Sequence, residues 1–97
     1  MVNSGDKLGA SRSVVFEPEW TWPLHGLRHP AEADTTGWFV WTGELLGDAD
    51  FFVPWHASHL VERSPKLAPV LDLPPGTRFL YAPGHLDVWE DLSLLDV

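Results

Sequence analysis

The most constraining feature of the sequence is a run of large apolar side chains that lies between Gly37 and Gly43 and reads Trp-Phe-Val-Trp-Thr. Aromatic and β-branched residues favour strands, and glycines commonly bound them. Because nearly every side chain of this run is large and apolar, both of its faces need to be covered. The run therefore predicts a central strand of a sheet, or a strand whose outer face meets a partner.

A hairpin is predicted near the C-terminal end, between residues 77–81 and residues 86–90. The first strand follows the turn Pro74-Pro75-Gly76, in which proline presets φ and glycine supplies the positive φ of a type II turn. The second strand alternates apolar and acidic residues, which is typical of a half-buried antiparallel strand. Residues 82–85 are short enough to join the two strands directly. Arg78 is expected to form an ion pair with Asp87 or Asp91.

A helix is predicted to begin at Pro54, since a proline suits the first helical position. The residues on its apolar face are Val53, Ala57, Leu60 and Val61. Ser64 then resembles an N-cap with Pro65 after it. Pro69 lies further inside this second segment, which is therefore expected to be short, bent or partly 3₁₀.

Residues 1–12 are small and polar, and we expect them to form a flexible leader. Residues 13–97 are expected to form one domain. Residues 13–16 are β-prone and stop at Pro18, which predicts an edge strand, and residues 24–34 lack a regular period. The predicted fold is α+β, with a small antiparallel sheet of about three to five strands and one or two short helices packed on one face.

The charge balance of the chain restricts its partners. Its 97 residues include 14 carboxylates and 6 lysines and arginines, for a net charge of −8. This charge disfavours nucleic acids and anionic membranes, and it favours either a basic partner or simply solubility. The chain has no cysteine, no apolar run near the ~20 residues of a membrane span and no secretory leader. These features predict a cytoplasmic protein.

No motif in the sequence indicates catalysis. His56 and His59 are three residues apart, with Glu62 one turn later, and could contribute to a metal site. However, there is no His-Glu-x-x-His spacing, so hydrogen bonding of these histidines is the favoured interpretation. Nucleophile motifs and glycine-rich phosphate loops are also missing. We therefore predict no catalytic residue, no metal and no cofactor.

Six of the carboxylates form two sets, which are Glu44, Asp48 and Asp50, and Asp87, Glu90 and Asp91. Paired carboxylates can hydrolyse glycosides, but they also cap helices or solvate an edge strand, and neither set has the spacing of a calcium loop. A third interpretation is a negative ridge that meets a basic partner. Most of the tryptophans are expected in the core, with Trp55 as a candidate interface anchor. The predicted partner-binding residues are Glu44, Asp48, Asp50, Trp55, His59, Asp87, Glu90 and Asp91.

Several segments in order are similar to a known bacterial family. They are Leu27-Arg28-His29-Pro30, Gly37-Trp38-Phe39-Val40-Trp41 with Gly43-Glu44, Asp50-Phe51-Phe52 with Pro54, His56, His59-Leu60 and Pro65, Leu71 with Leu73-Pro74-Pro75-Gly76, Arg78-Phe79-Leu80, Asp87-Val88-Trp89 with Asp91, and Leu94-Leu95. Over residues 24–97 the chain resembles the immunity protein 33-like domain, an immunity family of bacterial polymorphic toxin systems.

The resemblance implies a small α+β protein without catalytic activity. Such a protein would bind a cognate toxin domain in the cytoplasm of the producing cell and neutralise it. The family supplies no catalytic residues that could be carried over to this chain. The alternative interpretation is a small-molecule or peptide-binding module, with a pocket lined by Trp20, Trp22, Trp55 and the histidines.

Overall fold

A computed structural model describes residues 7–31, 35–43 and 51–95 of the chain. Its six strands are β1 (Lys7–Ser11), β2 (Leu24–Arg28), β3 (Thr35–Thr42), β4 (Phe52–His56), β5 (Thr77–Ala82) and β6 (His85–Glu90). Its helices are α1 (Arg12–Phe16), α2 (Ala57–Arg63) and α3 (Ala68–Leu71), with 3₁₀ turns at Pro65–Leu67 and Leu92–Leu95. The strands form one sheet in the order β4-β1-β3-β2-β5-β6.

The predicted α+β class is confirmed, but the sheet is larger than expected and is not purely antiparallel. It has six strands rather than three to five, and β1 runs parallel to β3. β3 lies third in the order and is buried along most of its length, as the sequence predicted for a central strand. A central strand needs a hydrogen-bonded neighbour on each side. These neighbours are β1 and β2, which the sequence analysis did not identify as strands.

The expectation of a flexible leader over residues 1–12 is wrong for Lys7–Ser11, which form β1 between β3 and β4. Leu8 and Ala10 are buried in the core. Gly9 lies against Phe39, because a Cβ added at Gly9 would come within 2.6 Å of the Phe39 ring. The small residues of this segment therefore permit close packing against β3. Residues 1–6 lie outside the part of the chain that the structure describes.

Residues 13–16, predicted as an edge strand, belong instead to α1. Polar contacts hold this short helix on the sheet. The Ser13 hydroxyl hydrogen-bonds the Thr42 hydroxyl at 2.6 Å, and the carbonyl of Val14 accepts from the Trp20 indole at 3.0 Å and from Arg63 at 2.6 Å. These tertiary contacts outweigh the local β preference of the sequence.

The helix predicted to begin at Pro54 begins at Ala57, and Pro54 lies within β4 opposite Gly9. β4 is an outermost strand, where a residue without an N–H is tolerated. The prediction for the following segment is confirmed, since a 3₁₀ turn at Pro65–Leu67 leads into the short helix α3.

The main core lies between the helices and one face of the sheet. Its largest fully buried side chains include Trp38 and Phe79, whose rings are 5.6 Å apart. The Trp38 indole donates to the carbonyl of Leu71 at 2.9 Å, and Arg28 donates to the carbonyl of Leu73 at 2.6 Å. These two bonds attach the end of α3 and the following turn to the centre of the sheet.

A smaller apolar cluster formed by Leu27, Trp41 and Leu94 lies outside the main core, with Phe39 and Phe52 packed against it. Leu94 belongs to the second 3₁₀ turn. Trp20, Trp38 and Trp41 are buried, whereas Trp22 and Trp89 are exposed and Trp55 is half-buried, so half of the tryptophans, rather than most, lie in the core.

The predicted C-terminal hairpin is confirmed. β5 pairs with β6 from Thr77 opposite Glu90 to Ala82 opposite His85. Gly76 has a φ of +95° and Gly84 a φ of +76°, the conformation that glycine adopts at no steric cost. The predicted ion pair of Arg78 is also present, with Asp91 as its partner at 3.1 Å.

Candidate functional site

The outermost strand β6 is the most exposed element of the sheet. All six of its residues are exposed, and its apolar side chains Leu86, Val88 and Trp89 retain 41%, 43% and 45% of their accessible surface. The prediction of a half-buried strand is therefore wrong. Helices α1 and α2 pack toward the opposite end of the sheet, where α1 contacts β1, β3 and β4 and α2 contacts β4. The alternation of residues in β6 indicates a strand, but it cannot show how far the helices extend.

The two faces of β6 carry different side chains. Leu86 and Val88 lie opposite Tyr81 and Phe79, on the face that holds the main core. Trp89 lies opposite Arg78 on the other face. Because directly opposed residues of an antiparallel pair share a face, β6 exposes apolar surface on both sides of the sheet.

The hydrogen-bonding direction of β6 follows from the bond that closes the end of the hairpin. The N–H of Asp91 donates to the carbonyl of Gly76 at 2.6 Å, toward β5. Backbone groups along an antiparallel strand alternate between the two sides. The backbone groups of Leu86, Val88 and Glu90 therefore point away from β5, and no strand in the described part of the chain pairs with them.

Acidic residues dominate the charge of this strand, and Arg78 on the neighbouring strand β5 is already paired with Asp91. Residues 79–97 contain four Asp and Glu residues and no lysine or arginine. Asp87 is exposed and hydrogen-bonds the His85 ring at 2.8 Å. Glu90 is exposed on the opposite face of the strand from Asp87, since Glu90 opposes Thr77 and Asp87 opposes Leu80. An approaching partner thus meets a carboxylate on each face.

Asp91 differs from these two carboxylates because its own chain already engages it. The hydroxyl and the N–H of Ser93 donate to it at 2.6 and 3.1 Å, and Arg78 donates at 3.1 Å. The Ser93 hydroxyl is the main cause that lowers the pKa of Asp91, with smaller contributions from the Ser93 N–H and the Arg78 charge. Asp91 therefore fixes the turn after β6.

A groove of about 760 Å³ lies beside the hairpin, and Trp20, Trp22 and Tyr81 contribute to its walls. The Trp22 ring meets the Tyr81 ring edge-on at 5.6 Å. Arg63 also lines the groove, but it stacks on Trp20 at 4.4 Å and donates to the carbonyls of Val14, Glu17 and Pro18. The groove thus combines two residues of the predicted alternative pocket, while its lining includes neither Trp55 nor a histidine.

A family model described as the Imm33-like domain matches residues 1–91. The chain belongs to the Imm33-like domain family. The match includes the N-terminal quarter, which the resemblance over residues 24–97 had left out. This agrees with the place of β1 inside the sheet. No curated protein matches the chain, and no solved structure does either.

The residues predicted to bind a partner of this Imm33-like domain lie at two ends of its sheet. Asp87, Glu90 and Asp91 lie on or after β6, whereas Trp55 lies on β4 and His59 on α2, which follows β4. β4 and β6 are the two outermost strands, so these residues do not form one patch. Trp55 is half-buried against the main core, with its ring 5.7 Å from the His59 ring. Glu44, Asp48 and Asp50 lie outside the described residues.

The histidine pair of the Imm33-like domain is the candidate that the sequence offers for a zinc or iron site. The rings of His56 and His59 are 5.5 Å apart and nearly perpendicular. Within residues 7–31, 35–43 and 51–95, no group of three His, Cys, Asp or Glu residues could hold a metal ion. Among the same residues, no helix is long and apolar enough to cross a membrane.

Proposed function

We propose that this Imm33-like domain is a non-catalytic immunity protein that binds a cognate toxin domain and neutralises it in the cytoplasm of the producing bacterium. Membership of an immunity-domain family over residues 1–91 supports this proposal. The observation that carries it is the exposed strand β6, which presents apolar side chains and carboxylates together. Protein interfaces combine an apolar centre with a polar rim in this way.

The proposed toxin domain presents a basic surface. Asp87 and Glu90 would face it from β6 and would speed association and fix its orientation. If the toxin is a nuclease, the two carboxylates would occupy the groove that otherwise binds phosphates. Residues 44–50 carry the second predicted acidic set, and Trp55 and His59 form a further candidate contact at the β4 end. We include both as secondary parts of the proposal.

The proposal is tested with a candidate toxin domain encoded by a gene that neighbours the gene for this chain. Co-expression of the two proteins should restore growth, and the purified pair should form a stoichiometric complex. Mixing should inhibit the toxin without any chemical change in it, as judged by intact-mass measurement. Failure of both rescue and complex formation would refute the proposed function, and a covalent change in the toxin would refute its non-catalytic character.

The role of the carboxylates is tested by replacing Asp87 and Glu90 together with lysine. We expect weaker binding and a flatter dependence of the dissociation constant on salt, because favourable long-range attraction is lost. The control is the replacement of Glu17 and Glu62 with lysine, which changes the net charge equally at exposed positions on or beside α1 and α2. Equal effects of the two double variants would indicate that only net charge matters.

The groove beside the hairpin supports a second candidate function, the binding of a small molecule or peptide. Its aromatic walls, Trp22 and Tyr81, favour flat or apolar ligands. A ligand panel read by tryptophan fluorescence tests this function, and Trp22→Ala should weaken the affinity of any ligand that binds in the groove. An affinity that this replacement leaves unchanged would place the ligand elsewhere.

A further inference from the structure

Within the described part of the chain, the outer edge of β6 is protected only by the charges of Asp87 and Glu90. Natural sheets protect their edges with charged side chains, proline, bulges or a covering element. Residues 85–90 contain neither proline nor lysine, and their register with β5 is continuous over all six pairs. The outward-pointing backbone groups of Leu86, Val88 and Glu90 therefore form an uninterrupted row of donors and acceptors.

We propose that the toxin domain inserts an extended segment along this edge, where it adds a strand to the sheet. This inference rests on the proposed function and names the mode of binding. The added strand would exchange main-chain hydrogen bonds with Leu86, Val88 and Glu90. Strand addition to a free sheet edge is a common form of peptide recognition, in which the main chain gives affinity and alternate side chains give specificity.

The side chains of β6 define the chemistry of the added segment. On the core-side face of the sheet, apolar residues of the segment would cover the exposed sides of Leu86 and Val88. On the other face, they would cover the exposed side of Trp89. Asp87 and Glu90 lie on opposite faces, so the segment should carry lysine or arginine on both of its faces. The segment is therefore a mixed apolar and basic strand.

The same charges disfavour a second copy of this chain on the edge. Each copy carries a net charge of −8, and pairing of two β6 strands would place Asp87 and Glu90 of both copies on adjacent strands. Such like charges repel each other at short range. The edge thus favours a basic partner over self-association.

The test compares two replacements of one residue. Val88→Pro removes an outward N–H, whereas Val88→Thr keeps that N–H and the branched shape of the side chain. Because a lost hydrogen bond within an interface costs about tenfold or more in affinity, Val88→Pro should weaken binding of the neighbouring toxin domain by about that factor. Val88→Thr keeps every main-chain bond and loses only part of the apolar contact of the side chain, so it should weaken binding by clearly less than Val88→Pro does.

The outcomes separate this inference from the proposed function. If the wild type binds the toxin domain and Val88→Pro binds it equally well, the added strand is refuted and the immunity function stands. If the wild type does not bind, both fail. If the chain alone forms a dimer that Val88→Pro disrupts while toxin binding is unchanged, the edge belongs to a second copy and the inference is overturned.

A second measurement decides the question if Val88→Pro does not fold. Nuclear Overhauser contacts in the wild-type complex should connect the amide protons of Leu86, Val88 and Glu90 to backbone protons of the toxin domain. Such contacts require a strand within about 5 Å, the spacing of neighbours in a sheet. Contacts from the toxin domain to side chains of β6 alone would refute the added strand.

Discussion

The two outer edges of the sheet have the same position in the architecture and opposite surroundings. β4 contains Pro54, and three of its five residues are half-buried. It leads directly into α2. β6 has no proline, is exposed at every position and is followed by a 3₁₀ turn. One edge is thus integrated into the core, whereas the other remains open.

The contrast supports β6 as the edge proposed for recognition. A proline within an edge strand hinders pairing with another chain, because it cannot donate a hydrogen bond. Ala57 and Leu60 of α2 are buried, and they anchor the chain directly after β4 in the main core. An open edge with exposed apolar side chains favours aggregation unless a partner or charge controls it. In β6 the carboxylates provide the charge, and the proposed toxin domain provides the partner.

The largest expected effect is a difference in the free energy of unfolding between two residues that face each other, one in the core and one on the open edge. Phe79 is buried and Val88, its partner on β6, is 43% exposed. Phe79→Ala should lower the free energy of unfolding by about 3–5 kcal/mol because it leaves a cavity. Val88→Ala should lower it by less than about 1 kcal/mol. Urea denaturation measures both, and similar losses would show that β6 is as integrated in the core as β5.

A smaller effect tests the direction of the backbone groups along β6. The N–H of Trp89 points toward β5 and that of Val88 points away, so only Trp89→Pro removes a bond of the hairpin. Trp89→Pro should therefore be less stable than Val88→Pro by about 0.5–1.5 kcal/mol, the net value of one hydrogen bond. Thermal and urea unfolding of the two variants provide the comparison. The opposite order of stability would mean that the assigned directions are reversed.

The smallest expected effect is the pH dependence of stability that arises from His25 on the inner strand β2. Burial lowers the pKa of His25 from its ordinary value of 6.5, and the Arg78 charge lowers it further. The unfolded chain then binds a proton more readily than the folded one, so the stabilisation is complete above pH 6.5 and is lost as pH falls through the lowered value. The His25 ring stacks on Trp41 at 5.2 Å, and His25→Phe supplies a ring that can stack there but cannot titrate.

The measurement is the free energy of unfolding of wild type and His25→Phe at several pH values from 7 down to 5. The wild type should lose more stability over this range than the variant does. Parallel curves would contradict the assignment of this pH dependence to His25.

Much of the fold could be predicted where the local pattern and the tertiary structure agree. The central strand β3, the turn at Gly76 and the C-terminal hairpin follow from apolar runs bounded by turn residues. β1 could not be predicted, because Gly9 is small to allow close packing against Phe39 and not to give flexibility. α1 could not be predicted, because its contacts with Thr42 and Arg63 join residues that are far apart in the sequence.

The candidate site was predictable only in part. The acidic character of Asp87 and Glu90 and their position on a strand follow from the sequence alone. The exposure of Leu86, Val88 and Trp89 does not, because it depends on where the helices end across the sheet. The position of Trp89 out of phase with Leu86 and Val88 is the one sequence signal that this strand is apolar on both faces.

Amide hydrogen exchange along β6, measured by NMR in the free protein and in its complex with the toxin domain, is the most direct test of the open edge. In the free protein, the amides of Leu86, Val88 and Glu90 should exchange at least about tenfold faster than those of Asp87 and Trp89, since only the latter donate to β5. In the complex, the three fast amides should become protected. Uniform protection in the free protein, or unchanged fast exchange in the complex, would contradict an open edge that receives a strand.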